Sequence, residues 1–142
     1  MYAMIVERIV RRAFQSLNRG EIEPVVAQFH PEGVLRFPGK DGLEAECRGL
    51  AEVRAWFQRF RTLFPNLRFE IHEVAVHGLP WNTRVFTRFT DRIPFTDGSE
   101  VVNHGVQYLR LSWGRVREDV IYVDTQTVAR ARMLATRERD PN

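Results

Sequence analysis

The chain has little of several residue types and patterns, and each shortage excludes a class of protein. Its single cysteine, Cys47, excludes an internal disulfide and a cysteine-based metal cluster. No apolar run approaches the roughly 20 residues that cross a membrane. The first ten residues include Glu7 and Arg8, so we expect no signal peptide, no membrane association and a cytoplasmic protein.

The chain also lacks a concentrated charge of one sign. Lys and Arg total 21 and Asp and Glu total 18, and the two signs are interspersed. The nearest basic cluster, Arg54, Arg59 and Arg61, fits a solvated helix face better than a nucleic-acid surface. His72, His77 and His104 have no spacing with carboxylates that is typical of a metal site. We therefore expect no nucleic-acid partner, no metal and no cofactor.

What is present is typical of one soluble α+β domain. The length of 142 residues and the hydrophobic fraction of 44% suit a single domain over 1–142. Apolar residues at three- and four-residue spacing predict three N-terminal helices, and a weaker stripe predicts a closing helix before a disordered tail over 136–142. These helices are Met4–Leu17, Glu21–Phe29, Leu50–Phe64 and Thr125–Thr136.

Alternating side chains predict the strands of a curved antiparallel sheet that packs on the three N-terminal helices. We expect His30–Gly33 to break the chain before the first strand and Gly39–Gly49 to be a surface loop. The predicted strands are Val34–Phe37, Leu67–His77, Thr83–Ile93, Val101–Trp113 and Val116–Asp124.

Side-chain parity decides which groups face the helices. In Thr83–Ile93 three arginines share one face, which we expect to meet water, so Thr87, Phe89 and Asp91 face inward. In the next strand Asn103, Gln107 and Leu109 form the better inner face. Pairing in phase would place Asp91 opposite Asn103 and Thr87 opposite Gln107, unless a bulge at Gly105 shifts the register.

The last strand is less certain. Its two faces are Asp119, Ile121, Val123 and Glu118, Val120, Tyr122, Asp124. The apolar pair Ile121 and Val123 favours the first set as the inner one. Asp124 then either caps the following helix or acts as a catalytic acid.

Three segments follow one another in an order typical of a known family. Residues 14–32 (FQSLNRGEIEPVVAQFHPE) hold a helix, an Asn-x-Gly-Glu turn, a second helix and the start of a strand. Phe64–Leu67 is a Phe-Pro-Asn-Leu step, and Trp113–Glu118 is a turn into the last strand. Together they resemble the SnoaL-like branch of the nuclear transport factor 2-like superfamily. The resemblance spans about Val6 to Thr125 and implies a cone-shaped sheet around three helices.

The resemblance implies a pocket for a small hydrophobic molecule, but the known catalytic residues carry over only in part. Ketosteroid isomerases of this superfamily place an Asp base where this chain has Phe37, a tyrosine at Ala13 and an acid at Gln107. The SnoaL-like cyclases and epoxide hydrolases place an Asp at Ile121. The hydrolases add an Arg-x-Asp motif, and Arg88–Asp91 is one residue longer. The chain is therefore not expected to be a steroid isomerase of the known mechanism.

Two hypotheses of function remain open. The first is a cofactor-free isomerase, cyclase or hydrolase in which Asp91, Asp124 or His30 transfers a proton and Gln107 orients an oxygen. The second is a noncatalytic ligand-binding or dimerisation module of the same fold. In either case the resemblance implies a homodimer through the outer sheet face, near Tyr122. The expected pocket wall is Phe37, Trp56, Thr87, Phe89, Asn103, Leu109, Ile121 and Val123.

Overall fold

A computed structural model describes residues 1–40 and 42–140. Within these residues six strands form one curved sheet, and helices pack on its concave face. The helices are α1 (Tyr2–Asn18), α2 (Glu23–Val26), α3 (Gly49–Leu63) and α4 (Thr125–Arg139). The strands are β1 (Phe29–Phe37), β2 (Ala45–Arg48), β3 (Arg68–Leu79), β4 (Asn82–Pro94), β5 (Glu100–Ser112) and β6 (Arg115–Val123).

The sheet confirms the predicted α+β class but is mixed rather than purely antiparallel. Its strand order is β2-β1-β6-β5-β4-β3. Strands β3 to β6 form an antiparallel meander, whereas β1 pairs with β6 in parallel, from Val34 opposite Glu118 to Arg36 opposite Val120. The prediction of an all-antiparallel sheet was wrong at this pair, because a contact between the first and last long strands leaves no local signal.

The first strand begins earlier than predicted. Helix α2 ends at Val26, and β1 starts at Phe29 and runs through the segment His30–Gly33 that was expected to break the chain. A register shift between Phe29 and Val34 absorbs the extra residues, and a proline is tolerated at such an irregularity. Gly33 is needed there, since a Cβ at this position would lie 2.6 Å from the carbonyl oxygen of Val116.

Two further boundaries differ from the predictions. The expected loop Gly39–Gly49 contains β2, which pairs with β1 from Arg48 opposite Val34 to Ala45 opposite Phe37. Four residues are too few to leave a periodic pattern. Helix α4 runs to Arg139, so residues 136–139 of the predicted tail are helical, and 141–142 lie outside the described residues.

The core lies between the helices and the concave face of the sheet. Helix α1 buries Val6, Val10 and Phe14 at four-residue spacing, and α3 buries Val53, Trp56 and Phe57. Trp56 lies at the centre of an aromatic cluster and stacks on Phe60, with ring centroids 5.2 Å apart and planes at 12°. Two helices and one sheet face therefore enclose a space with largely aromatic walls.

The predicted register of the two longest strands is confirmed. Asp91 lies opposite Asn103 and Thr87 opposite Gln107, with no shift at Gly105. A Cβ at Gly105 would lie 2.6 Å from Cζ of Phe89, so the missing side chain allows that ring to pack over β5. The arginines of β4 lie on the exposed face, and the alternate residues from Thr83 to Ile93 are buried.

Candidate active site

A cavity lies between the concave face of the sheet and helices α1, α3 and α4. Its volume is about 80 Å³, which is room for several waters. Most of its lining is aromatic or aliphatic. The polar side chains in the lining are those of Gln28, Asp91, Asn103, Gln107, Asp119 and Thr127.

Asp119 is the most deeply buried acid of the cavity, with 2% of its surface exposed. In β6 it lies between Leu109 of β5 and Leu35 of β1. Burial raises the pKa of Asp119 to about 7, although the hydrogen bond from Gln107 acts in the opposite direction. A carboxyl group with this pKa can either accept or donate a proton near neutral pH.

Gln107 holds Asp119 in place. Its Nε2 donates to Oδ1 of Asp119 across 3.1 Å, and its Oε1 has no hydrogen-bond partner among the described residues. Buried amide oxygens are normally bonded, so this acceptor is suited to a donor from a ligand or a water. The two residues form a polar pair in an otherwise apolar part of the wall.

Asp91 is the second acid of the cavity, with 6% of its surface exposed. Burial raises its pKa to about 6, and its Oδ1 has no hydrogen-bond partner in the described structure. Asn103, directly opposite, makes its side-chain hydrogen bonds elsewhere: its amide nitrogen donates to the Asp124 carbonyl, and its oxygen accepts from the backbone N–H of His104. Oδ1 of Asp91 is therefore a free acceptor among the described residues.

The two acids occupy different parts of the cavity. Asp91 lies opposite Asn103, whereas Asp119 lies opposite Leu109, six residues further along β5. This spacing corresponds to roughly 20 Å along the strand. Neither carboxyl perturbs the pKa of the other. They do not form a pair that could act together on one bond.

The comparison with known proteins agrees with this architecture. The SnoaL-like domain family matches residues 10–119 of the chain. The chain belongs to the SnoaL-like family. No curated protein matches the sequence.

Solved structures share the fold at low sequence identity. An NTF2-like protein of unknown function from Burkholderia pseudomallei is 21% identical with a TM-score of 0.75, covering 88% of this chain and 95% of that chain. TerC, co-crystallised with polyporic acid, is 17% identical with a TM-score of 0.71, covering 89% and 96%. IdmH from Streptomyces antibioticus, provisionally assigned as a polyketide cyclase, is 17% identical with a TM-score of 0.69, covering 88% and 96%.

Two of the predicted catalytic residues of this SnoaL-like chain lie outside its cavity lining. Asp124 is exposed and caps α4, and its side chain accepts from the backbone N–H groups of Gln126 and Thr127. The hydrogen bond from Thr127 is the main cause of its lowered pKa. Nδ1 of His30 accepts from the backbone N–H of Glu32 across 3.0 Å and lies 2.6 Å from Nη1 of Arg117. Of the alternatives left open by the sequence, Asp124 occupies the helix cap.

The structure brings most of the predicted wall together. Thr87 is fully buried but does not line the cavity, and its hydroxyl has no hydrogen-bond partner among the described residues. The other predicted wall residues line the cavity: Phe37, Trp56, Phe89, Asn103, Leu109, Ile121 and Val123.

The acid with the strongest case, Asp119, was absent from the predicted site. The parity of β6 had already placed it on the inner face with Ile121 and Val123. The family resemblance instead directed attention to position 121, two residues further along the same face. The inward parity of an acid in an apolar strand was the signal that could have identified it.

The described structure offers no sign of a metal centre or a membrane span. No group of three or more His, Cys, Asp or Glu side chains in the described ranges could hold a metal ion. None of the helices in residues 1–40 and 42–140 has the length and apolar character needed to cross a membrane.

Proposed function

We propose that this SnoaL-like protein is a cofactor-free acid–base enzyme that moves a proton at a carbon next to a carbonyl group of a small hydrophobic molecule. The observation that carries the proposal is the pair of buried Asp119 and half-buried Gln107 in an aromatic cavity. A carboxyl group with a pKa of about 7 is matched to proton transfer near neutral pH.

In the proposed reaction, ionised Asp119 removes a proton from the carbon, and the electron pair of the C–H bond moves into an enolate. The Nε2–H of Gln107 engages Oδ1, so Oδ2 is the oxygen that takes the proton. The second hydrogen on the same nitrogen would donate to the enolate oxygen. Neutral Asp119 then returns the proton to another carbon, which completes an isomerisation. In a cyclisation the enolate attacks a second carbonyl, and Asp119 protonates the resulting alkoxide.

The wall of the cavity supports a hydrophobic and aromatic substrate. The ring centroid of Trp56 lies 5.3 Å from that of Phe37 and 5.2 Å from that of Phe60, and such surfaces favour flat apolar molecules. TerC in its crystal with polyporic acid and the provisional assignment of IdmH as a polyketide cyclase point to the same class of ligand. Hydrolysis by two cooperating carboxylates is not part of the proposal, because Asp91 and Asp119 do not meet.

The reaction can be tested before the natural substrate is known. In deuterium oxide, the protein should speed the exchange of the α-hydrogens of 2-tetralone above the buffer rate, as followed by proton NMR. Asp119→Asn removes the base and should lower the enzymatic exchange rate by about 100-fold. The control is Asp124→Asn, which retains a helix-capping side chain outside the cavity lining and should exchange at the wild-type rate.

Two outcomes would overturn the proposal. One is exchange by Asp119→Asn within about threefold of the wild-type rate, a smaller loss than removal of a general base produces. The other is the absence of any exchange above buffer for the folded wild-type protein while 2-tetralone is shown to bind. The noncatalytic ligand-binding alternative would then be favoured.

We also propose that the protein forms a homodimer through the outer face of the sheet. Phe86 and Tyr122 are 46% and 55% exposed there, Val106 is exposed between them, and Tyr108 contacts the ring of Phe86. An apolar strip on a face that also bears Arg88 is suited to burial against a second copy. Tyr122→Glu should shift the protein from dimer to monomer in sedimentation equilibrium. A wild-type protein that sediments as a monomer would exclude this assembly.

A further inference from the structure

The isolated acid Asp91 has no task in the proposed proton transfer, although burying it is costly. A buried carboxylate without donors destabilises the folded protein, and the raised pKa of Asp91 reflects that cost. Its Oδ1 has no hydrogen-bond partner in the described structure, and Asp91 lines the same cavity as Asp119. A donor from a bound molecule would offset the cost.

The neighbouring side chains do not supply this donor. Phe69 of β3 lies opposite Asp91 on one side, and the amide of Asn103 on the other side donates to the Asp124 carbonyl. The next residue, Arg92, points to the outer face, where it pairs with Glu100 across 3.1 Å and with Glu70 across 3.6 Å. The described surroundings leave Oδ1 as an acceptor within an aromatic enclosure.

We propose that Asp91 is a specificity-determining residue that accepts a hydrogen bond from a hydroxyl group of the ligand, at the end remote from Asp119. The proposal rests on the proposed function, because Asp119 marks the reacting end. Its substrate class is therefore an elongated, largely aromatic molecule with a carbonyl group at one end and a hydroxyl group at the other.

A hydroxyl group suits this position better than an ammonium group. A neutral hydroxyl needs one acceptor, and Asp91 provides it. A buried ammonium would have to satisfy three N–H donors in a wall where Phe69, Phe89 and Ile93 are the nearest side chains on β3 and β4.

The test compares two probes that differ only in the donor. These are 4-phenylphenol and its methyl ether, 4-methoxybiphenyl, with dissociation constants measured by quenching of tryptophan fluorescence. The wild-type protein should bind the phenol about tenfold more tightly, the effect of one hydrogen bond to a charged group. In Asp91→Leu the preference should fall to less than about twofold, because the acceptor is gone.

Asp91→Asn is the second variant, and it replaces Asp91→Leu in the comparison if the leucine variant does not fold. Its neutral oxygen accepts more weakly, so the preference should fall at least about threefold. Asp124→Asn serves as the matched control, because it changes an acid outside the cavity lining and should keep the preference for the phenol.

Three results would overturn the proposal. They are equal affinity of the wild-type protein for both probes, failure of both probes to bind at their solubility limit, and full retention of the preference in Asp91→Asn. The outcome is separate from that of the exchange experiment. Exchange of 2-tetralone can fail while Asp91 still selects the phenol, and the reverse result is equally distinguishable.

Discussion

The cavity has two acidic ends that contain the same residue type in different surroundings. At one end Asp119 receives a hydrogen bond from Gln107, and at the other Asp91 has one oxygen with no partner among the described residues. Burial raises the pKa of both side chains. What distinguishes them is the bond made by the amide on β5: Gln107 donates to Asp119, whereas Asn103 donates to the Asp124 carbonyl. The amide of Gln107 can therefore orient a base, whereas the free oxygen of Asp91 can accept a donor from the ligand.

The largest expected difference between the two ends is in the pH profile of exchange. Asp119 acts as a base only when ionised, so the exchange rate of 2-tetralone should rise about 100-fold between pH 5 and pH 8 and level off above its pKa. In Asp91→Asn the midpoint near pH 7 should remain, because this residue does not perturb Asp119. A midpoint that moves by a full pH unit in Asp91→Asn would show that the two ends are coupled.

The gain in stability should be larger for Asp119→Asn than for Asp91→Asn, because Asp119 is the more deeply buried acid. Both acids have a folded pKa above the unfolded value of 3.8, so the folded protein binds more protons between these pKa values. Their contribution to the free energy of unfolding therefore falls as the pH rises from about 4 to about 7. At pH 8, Asp119→Asn should be more stable than wild type by about 2 to 4 kcal/mol and Asp91→Asn by about 1 to 3 kcal/mol.

Urea unfolding at several pH values checks this prediction. Well below pH 3.8 both acids are neutral in the folded and the unfolded state, so the gain of each variant should nearly vanish there. A gain that is the same at pH 4 and pH 8 would show that ionisation is not its cause. Asp124→Asn, at an exposed cap, provides the reference for an acid whose folded pKa is lowered.

Substitution of Gly105 should disturb the Asp91 end more than the Asp119 end. A Cβ there would meet Phe89 at 2.6 Å and the carbonyl oxygen of Tyr122 at 2.7 Å, so Gly105→Ala should cost about 1 to 3 kcal/mol of stability. The displaced ring of Phe89 is two residues from Asp91, so discrimination between 4-phenylphenol and its methyl ether should weaken. Exchange at Asp119 should change by less than about twofold. Ser112→Ala on the same strand is the control.

The smallest expected effect concerns the third acid, Asp124. Asp124→Ala removes the acceptor for two backbone N–H groups at the start of α4 and should cost about 1 kcal/mol. Asp124→Asn should restore most of that stability. If Asp124→Ala loses more exchange activity than its lower stability explains, Asp124 would again be a catalytic candidate.

The sequence predicted the long strands and the site within them to different degrees. Alternation fixed the faces of β4 and β5, because arginines at alternate positions cannot lie in a core, and it also placed Asp91 opposite Asn103. The contact between Gln107 and Asp119 could not be predicted in the same way. It runs diagonally from Gln107 of β5 to Asp119 of β6. The pairing of these two strands depends on a register shift between Arg110 and Leu111, nearer the hairpin turn, which no alternation pattern encodes.

The elements that the sequence missed share a physical cause. Strand β2 has four residues, too few for periodicity, and its partner is fixed by β1 rather than by its own composition. The parallel contact between β1 and β6 joins distant segments through backbone hydrogen bonds, which carry no side-chain signature. Pro31 and Gly33 are typical of a turn, and they occur instead at an irregularity inside β1, where both residues are also tolerated.

The way α4 closes the cavity has a consequence for the rates of binding. This helix lines the cavity with Thr127, Val128 and Ala131. Its capping residue, Asp124, accepts a hydrogen bond at its carbonyl from the amide of Asn103 in β5. Short side chains, this bond and the hydrogen bonds from Thr96 to Glu138 hold a cover less firmly than a strand is held in the sheet. We expect α4 to move when a ligand as large as a biphenyl enters, so the association rate should level off at high ligand concentration. The rate constant at the plateau would then be the rate at which α4 moves away from the sheet.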